Sequence, residues 1–159
     1  MTTTTGTTIT GGCLCGAVRY ESTGEPILAG HCQCADCRKL SGTGHTSVVA
    51  VPEQTLTVTG KVTRYNTTGD SGGMVRRIFC PTCGTPLYGL VEAMPGTVML
   101  RASSLDDPEV FEPQMVIFTS RAASWDHMDP ALPAFPEMPP RDSPSRGGAP
   151  QYAASSRAR

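Results

Sequence analysis

Seven cysteines in three tight groups constrain this chain more than any other feature. They are Cys13 and Cys15 in GGCLCG, Cys32, Cys34 and Cys37 in HCQCADC, and Cys80 and Cys83 in FCPTCG. An odd number cannot close entirely into disulfides, and a CxxC or CxC taken alone reads as a redox pair as readily as half a metal site. The three groups together point to metal. Glycines flanking the first and third groups permit the tight turns that aim two thiolates from one short loop at a single ion. A structural zinc takes four ligands in a closed tetrahedron, so seven divides economically into four plus three. Cys13, Cys15, Cys80 and Cys83 would then clamp the first hairpin to a loop more than sixty residues later. Cys32, Cys34 and Cys37 would hold a second zinc and leave its fourth position open, as catalytic zinc sites do. Two alternatives stand at this point. His31 or His45 could supply the missing ligand and make the second site structural, or one zinc is bound and three thiols stay free. His127, beside Asp126, reads as a surface residue.

Around the cysteines the apolar residues come in short runs broken by Gly, Pro, Thr and Asn, the pattern of strands and turns. The runs predict strands over Ala17–Glu21, Ile27–His31, His45–Val51, Leu56–Thr59, Thr63–Asn66, Met74–Phe79, Pro86–Val91, Thr97–Arg101 and Gln114–Thr119. Val48–Val51 and Val98–Leu100 read as buried on both faces, since no polar residue interrupts them. A single helical turn is expected over Ala35–Leu40, with Asp36, Arg38 and Lys39 facing water. The expected fold is therefore all-β with short helical turns. Residues 1–7 read as a flexible leader, although its last residues could enter the first strand, 8–140 as one domain, and 141–159 as a disordered tail with almost no apolar content. The proline-dense stretch after Trp125 keeps Leu132, Phe135 and Met138, which suits an extended segment lying over the sheet.

The chain has 159 residues and a formal net charge of −1, so nothing draws it as a whole toward nucleic acid or an acidic membrane. A small molecule or a protein is the expected partner. The opening MTTTTGTTIT has neither a basic nor an apolar signal region, and no apolar run nears the roughly 18 residues needed to span a bilayer. The expected location is the cytoplasm, where thiols stay reduced. No serine and histidine arrangement suggests a hydrolase triad, and no glycine loop has the spacing of a phosphate cradle. Nothing in the sequence signals an oligomeric state.

GGCLCGAVRY, HCQCADCRKLSG, FCPTCGTPLY, SSLDDP and the late Trp125, in this order and spacing, resemble the glutathione-dependent formaldehyde-activating enzyme family, also called the CENP-V/GFA domain family. The resemblance covers roughly residues 8 to 140. It implies an Mss4-like all-β fold, one structural zinc on Cys13, Cys15, Cys80 and Cys83, and one catalytic zinc on Cys32, Cys34 and Cys37, the partition reached by counting ligands. It also implies glutathione as the thiol, formaldehyde as the electrophile, and S-hydroxymethylglutathione as product, or the reverse carbon–sulfur cleavage.

A zinc held by three thiolates carries a net negative charge and is a modest Lewis acid, yet it suits a soft fourth ligand such as a substrate thiolate. Carboxylates on that thiol would need donors near the metal. Arg38 and Lys39 directly follow Cys37, and Ser41 and Gly42 add hydroxyl and backbone donors. The same residues fit the solvated face of a short helix equally well. Arg76, Arg77 and Arg101 rank below them, and Trp125 could wall a pocket, although a single tryptophan is more often core or a clamp for a terminal segment. Two other functional classes compete with the enzyme: a non-catalytic zinc module that folds and binds partners, and a thiol redox sensor.

Overall fold

The computed structural model describes residues 8–140, so the expected leader and tail lie outside the described residues. The chain forms β1 (Ile9–Gly12), β2 (Arg19–Ser22), β3 (Leu28–Cys32), α1 (Ala35–Ser41), β4 (Thr46–Pro52), β5 (Leu56–Thr59), β6 (Thr63–Thr68), β7 (Met74–Phe79), β8 (Pro86–Val91), β9 (Thr97–Arg101) and β10 (Val116–Ile117). The fold is mostly β with one short helix, as expected. Four short 3-10 turns were not legible in the sequence, nor was the full extent of β1, whose Ile9 is completely buried.

β1, β2 and β5 make a small antiparallel sheet, while a seven-stranded sheet runs β10-β3-β4-β9-β8-β7-β6. In the small sheet Ile9, Tyr20 and Ser22 point inward and Thr10, Arg19 and Glu21 outward, the alternation that a half-buried antiparallel strand requires. Its inward face joins Ala29, Val49, Val51, Val98 and Leu100 of the large sheet in one core that also takes in Cys13 and Cys80. Gly11 lies opposite Tyr20 because a side chain there would strike the Tyr20 ring and the Ser104 carbonyl. The SSLDDP motif is the clasp between the sheets. Ser104 Oγ lies 2.7 Å from Tyr20 Oη and donates to the Arg101 carbonyl, and Asp106 accepts from Arg19 Nη1 at 2.9 Å.

The two stretches expected to be buried on both faces are so only in part. Val49, Ala50, Val51, Val98 and Leu100 are fully enclosed, but Val48 and Met99 are half-exposed. Both lie on the sheet face turned away from the core, the face on which α1 packs against β4. The last predicted strand shrinks to Val116–Ile117, pairing parallel with β3, because Phe118 takes a left-handed conformation at φ 59° and ends the ladder. The proline-dense segment does run along this edge: Val116 N–H donates to the Pro133 carbonyl, and the Phe135 N–H to the Val116 carbonyl. It thereby occupies backbone groups of β10 that would otherwise form an open sheet edge.

Candidate metal centres

The seven cysteines are all free thiols and form two groups, Cys13/Cys15/Cys80/Cys83 and Cys32/Cys34/Cys37, with the sulfurs of each group within 4.8 Å of one another. Both groups can hold a metal ion. In the first, the hairpin carrying Cys13 and Cys15 meets the turn after β7. Cys13 Sγ is 3.5 Å from Cys15 Sγ, and Cys15 Sγ is 3.8 Å from Cys80 Sγ. Four sulfurs about 2.3 Å from a central zinc stand about 3.8 Å apart along each tetrahedral edge, whereas a disulfide would require about 2.05 Å. The spacing therefore fits an ion and not a bridge. Backbone donors complete the cradle: Val18 N–H points at Cys13 Sγ at 3.2 Å and Thr82 N–H at Cys80 Sγ at 3.4 Å. The Thr85 hydroxyl, 3.1 Å from Cys83 Sγ, is the main reason that this thiol is lowered to about 5, so it is ready to ligate near neutrality.

The second group is built by the end of β3 and the start of α1. Cys34 is the N-cap of the helix, its sulfur accepting from the Cys37 N–H at 3.4 Å, and Gly42 in left-handed conformation ends the helix about two turns later. Hydrogen bonds from Cys32 first, and then Cys37, drive the Cys34 thiol far down, while the same sharing pushes Cys32 up. One thiolate held between two thiols is how three clustered cysteines divide their charge until a cation replaces the shared protons.

No histidine or carboxylate among the described residues joins this trio within 4.8 Å. The strand register explains why. Cys32 lies opposite Thr46 on the outer sheet face, so His31 and His45, one residue removed, belong to the inner side. His31 Nδ1 is 2.9 Å from Ser47 Oγ, and its ring meets those of His45 and Phe111 edge-on at 4.8 and 5.2 Å. His45 Nδ1 pairs with Asp126 at 2.9 Å, and Gln33 Nε2 donates to the same carboxylate at 2.9 Å. His45 and Gln33 thus fasten the C-terminal segment through Asp126, and His31 packs against the His45 ring from within the sheet. Asp126 and Gln33 carry no motif in the sequence. His127 is exposed, as expected, and Trp125 lies 62% exposed, so it neither fills the core nor is enclosed by a pocket.

Burial, followed by the charge of His45, lowers His31 to about 4 from 6.5. Between those values the unfolded chain binds a proton that the folded chain refuses, so stability falls as pH drops from about 6.5 toward about 4. Discounted for the ring's partial exposure, the loss should be about 1 to 2 kcal/mol. Urea unfolding at pH 7 and pH 5 measures it. A His31→Phe variant should lose that share of the pH dependence while retaining whatever comes from the thiols; an unchanged dependence would exclude His31 as its source.

The residues expected to receive a substrate carboxylate divide. Arg38 lies one helical turn beyond Cys34 and Ser41 one beyond Cys37, so both share the cysteine face of α1. Arg38 Nη1 donates to the Arg121 carbonyl at 3.0 Å, and the Ser41 hydroxyl is engaged with Arg38 and Thr43 backbone groups at the helix end. Lys39 stands exposed off that face. Arg77 and Arg101, ranked lower in the sequence, are both only 9% exposed. Arg77 Nη2 bonds Asp36 of α1 at 3.0 Å, and Thr46 Oγ1 donates to the Cys37 carbonyl at 2.9 Å. These two bonds pin the first turn of the helix to the sheet.

Comparison with known proteins agrees with this construction. No curated protein matches the chain. A crystal structure of a Rhodobacter sphaeroides protein, solved as a structural genomics target, is 24% identical over 65% of this chain and 96% of its own, with a TM-score of 0.52, a likeness of fold. The family model for the glutathione-dependent formaldehyde-activating enzyme matches residues 8–121, a span that contains all seven cysteines, and the chain belongs to that family.

Proposed function

We propose that the chain is a zinc-dependent carbon–sulfur lyase that joins a thiol, glutathione or one like it, to a small aldehyde such as formaldehyde, and catalyses the reverse cleavage. In this reading Cys13, Cys15, Cys80 and Cys83 hold a structural zinc and Cys32, Cys34 and Cys37 hold a catalytic one. The observation that carries it is the trio itself: three thiols gathered on a half-covered sheet face, with no fourth ligand among the described residues. When bound, zinc supplies there a position at which a substrate thiol is held as its thiolate, the proton leaving to solvent.

The remaining chemistry needs little beyond positioning. The substrate sulfur attacks the carbonyl carbon, the new S–C bond forms as the C=O π pair moves to oxygen, and that oxygen takes a proton from water. Thiols add to formaldehyde unaided, so the protein contributes orientation and thiolate activation, worth about two to four powers of ten. In this reading Arg38, Lys39 and Ser41 of α1 receive the carboxylates of a glutathione-like thiol; Arg38 and Ser41, on the cysteine face of the helix, would first release their backbone partners. The reading also places the protein in the cytoplasm, where such thiols are abundant and free cysteines persist.

Exchange NMR of formaldehyde with glutathione, with and without the zinc-loaded protein, tests the proposal. Addition and cleavage should both accelerate by at least tenfold over the uncatalysed exchange. Rates equal to background with glutathione, cysteine and 2-mercaptoethanol alike would remove this activity.

A further inference from the structure

Arg101 is a buried cation whose position the proposed reaction does not yet use. Pairing of Cys32 with Thr46, of Val48 with Arg101, and of Met99 with Gly89 and Gly89 with Arg77 puts Cys32, Arg101, Gly89 and Arg77 on one face of the large sheet. This is the face over which α1 is pinned by the Arg77–Asp36 and Thr46–Cys37 bonds. The Arg101 side chain is buried on this face, under the sheet side that carries α1, and not out in solvent. It leans over Gly89, where a Cβ would sit 3.3 Å from its Nη2, so the glycine makes room for it.

Despite being only 9% exposed, this guanidinium donates to no side chain or carbonyl among the described residues. Arg77, its neighbour, is satisfied by Asp36. A guanidinium has five N–H donors and stays charged, so burying it without an acceptor is costly unless negative charge lies close by. Burial above all, and the charge of Arg77, work against its ionised form, and the groups that act on it favourably are Cys37, Cys32 and Cys34. Three thiolates around a divalent ion leave one negative charge, which Arg101 cancels. A centre so neutralised can accept a second anion. Without Arg101, the incoming thiolate would meet a centre that is already negative.

We propose that Arg101 makes the open position of the three-cysteine centre selective for an anionic ligand, so that a substrate thiol is taken as its thiolate in preference to a neutral donor. This rests on the reading of Cys32, Cys34 and Cys37 as an open metal centre. Arg101 acts as a positioning and specificity residue through charge; it need not touch the reacting carbon.

Cobalt(II)-substituted protein provides a readout independent of turnover, because thiolate binding to cobalt adds sulfur-to-metal charge-transfer absorption. The four-cysteine site is coordinatively closed, so difference spectra on adding 2-mercaptoethanol report the trio. Removing one nearby charge with Arg101→Gln should weaken binding of 2-mercaptoethanol and of azide by about tenfold or more, and leave imidazole within about threefold. Arg101→Lys, which keeps the charge, should stay near wild type for all three. Equal effects of Arg101→Gln on anions and imidazole, or none on either, would overturn the inference while leaving the open centre intact. Absence of any spectral change with thiol in the wild-type protein would instead overturn the open centre itself. If Arg101→Gln fails to fold, the wild-type protein still decides: azide should displace bound thiolate more effectively than imidazole at equal concentration, and the opposite order would refute an anion-selective position.

Discussion

Replacing the exposed Cys15 by serine is expected to abolish the cooperative thermal transition of this protein. Cys15 contributes nothing to core packing, since it lies on the surface while Cys13 and Cys80 are buried. A serine there changes volume little and loses no apolar contact of consequence, so on packing grounds the cost would be a few tenths of a kcal/mol. Loss of a structural zinc is a different matter. Such an ion carries an apparent binding free energy of about 10 to 16 kcal/mol, comparable to or above the whole net stability of a domain. The four-sulfur site joins the β1–β2 hairpin to the β7–β8 turn across 65 residues of chain, so releasing it frees the two halves of the core from each other. Circular dichroism on heating, with zinc counted by atomic emission, checks this. A Cys15→Ser protein that kept a sharp transition with the zinc of the four-cysteine site gone would refute the staple.

Cys34→Ser should have the converse effect: one zinc equivalent lost out of two, the transition largely preserved, and thiol-dependent formaldehyde exchange reduced by about a hundredfold or more. The substitution is chosen for its position. Cys34 caps α1 through its sulfur, and serine is among the best N-cap residues, so the helix keeps its cap while the metal loses a ligand. The Arg77–Asp36 and Thr46–Cys37 bonds that hold α1 to the sheet do not involve it. Unfolding of this variant would mean that the trio serves only the fold, which is the non-catalytic module; reversible zinc release on mild oxidation of the wild type would favour the redox sensor.

Much of the fold could be read directly because its strands are bounded by strong punctuation. Leu56–Thr59, Met74–Phe79, Pro86–Val91 and Thr97–Arg101 fall where alternation and flanking Gly, Pro and Thr put them. The misses have physical causes. β1 begins in a run of threonines whose strand character emerges only when Ile9 and Gly11 are buried against β2 and Leu105. β10 is short because Phe118 leaves the extended conformation, and its neighbour across the edge is a proline-rich segment with no strand pattern of its own.

The same division runs through the site. The types, number and spacing of the cysteines were enough to determine that two groups form and how they divide, because thiolate geometry leaves few ways for short CxC and CxxC turns to satisfy an ion. Which other side chains meet those groups is set by strand register, a long-range property with period two that one sequence does not display. Register sends His31 and His45 to the inner side of the sheet and away from Cys32, although His31 is its immediate neighbour. Register also brings Arg101, sixty-nine positions from Cys32, onto the sheet face that carries the trio. In the sequence Arg101 is a low-ranked carboxylate donor at the end of an apolar strand; burial without a hydrogen-bonding partner, which only packing creates, is what singles it out from Arg76 and Arg77.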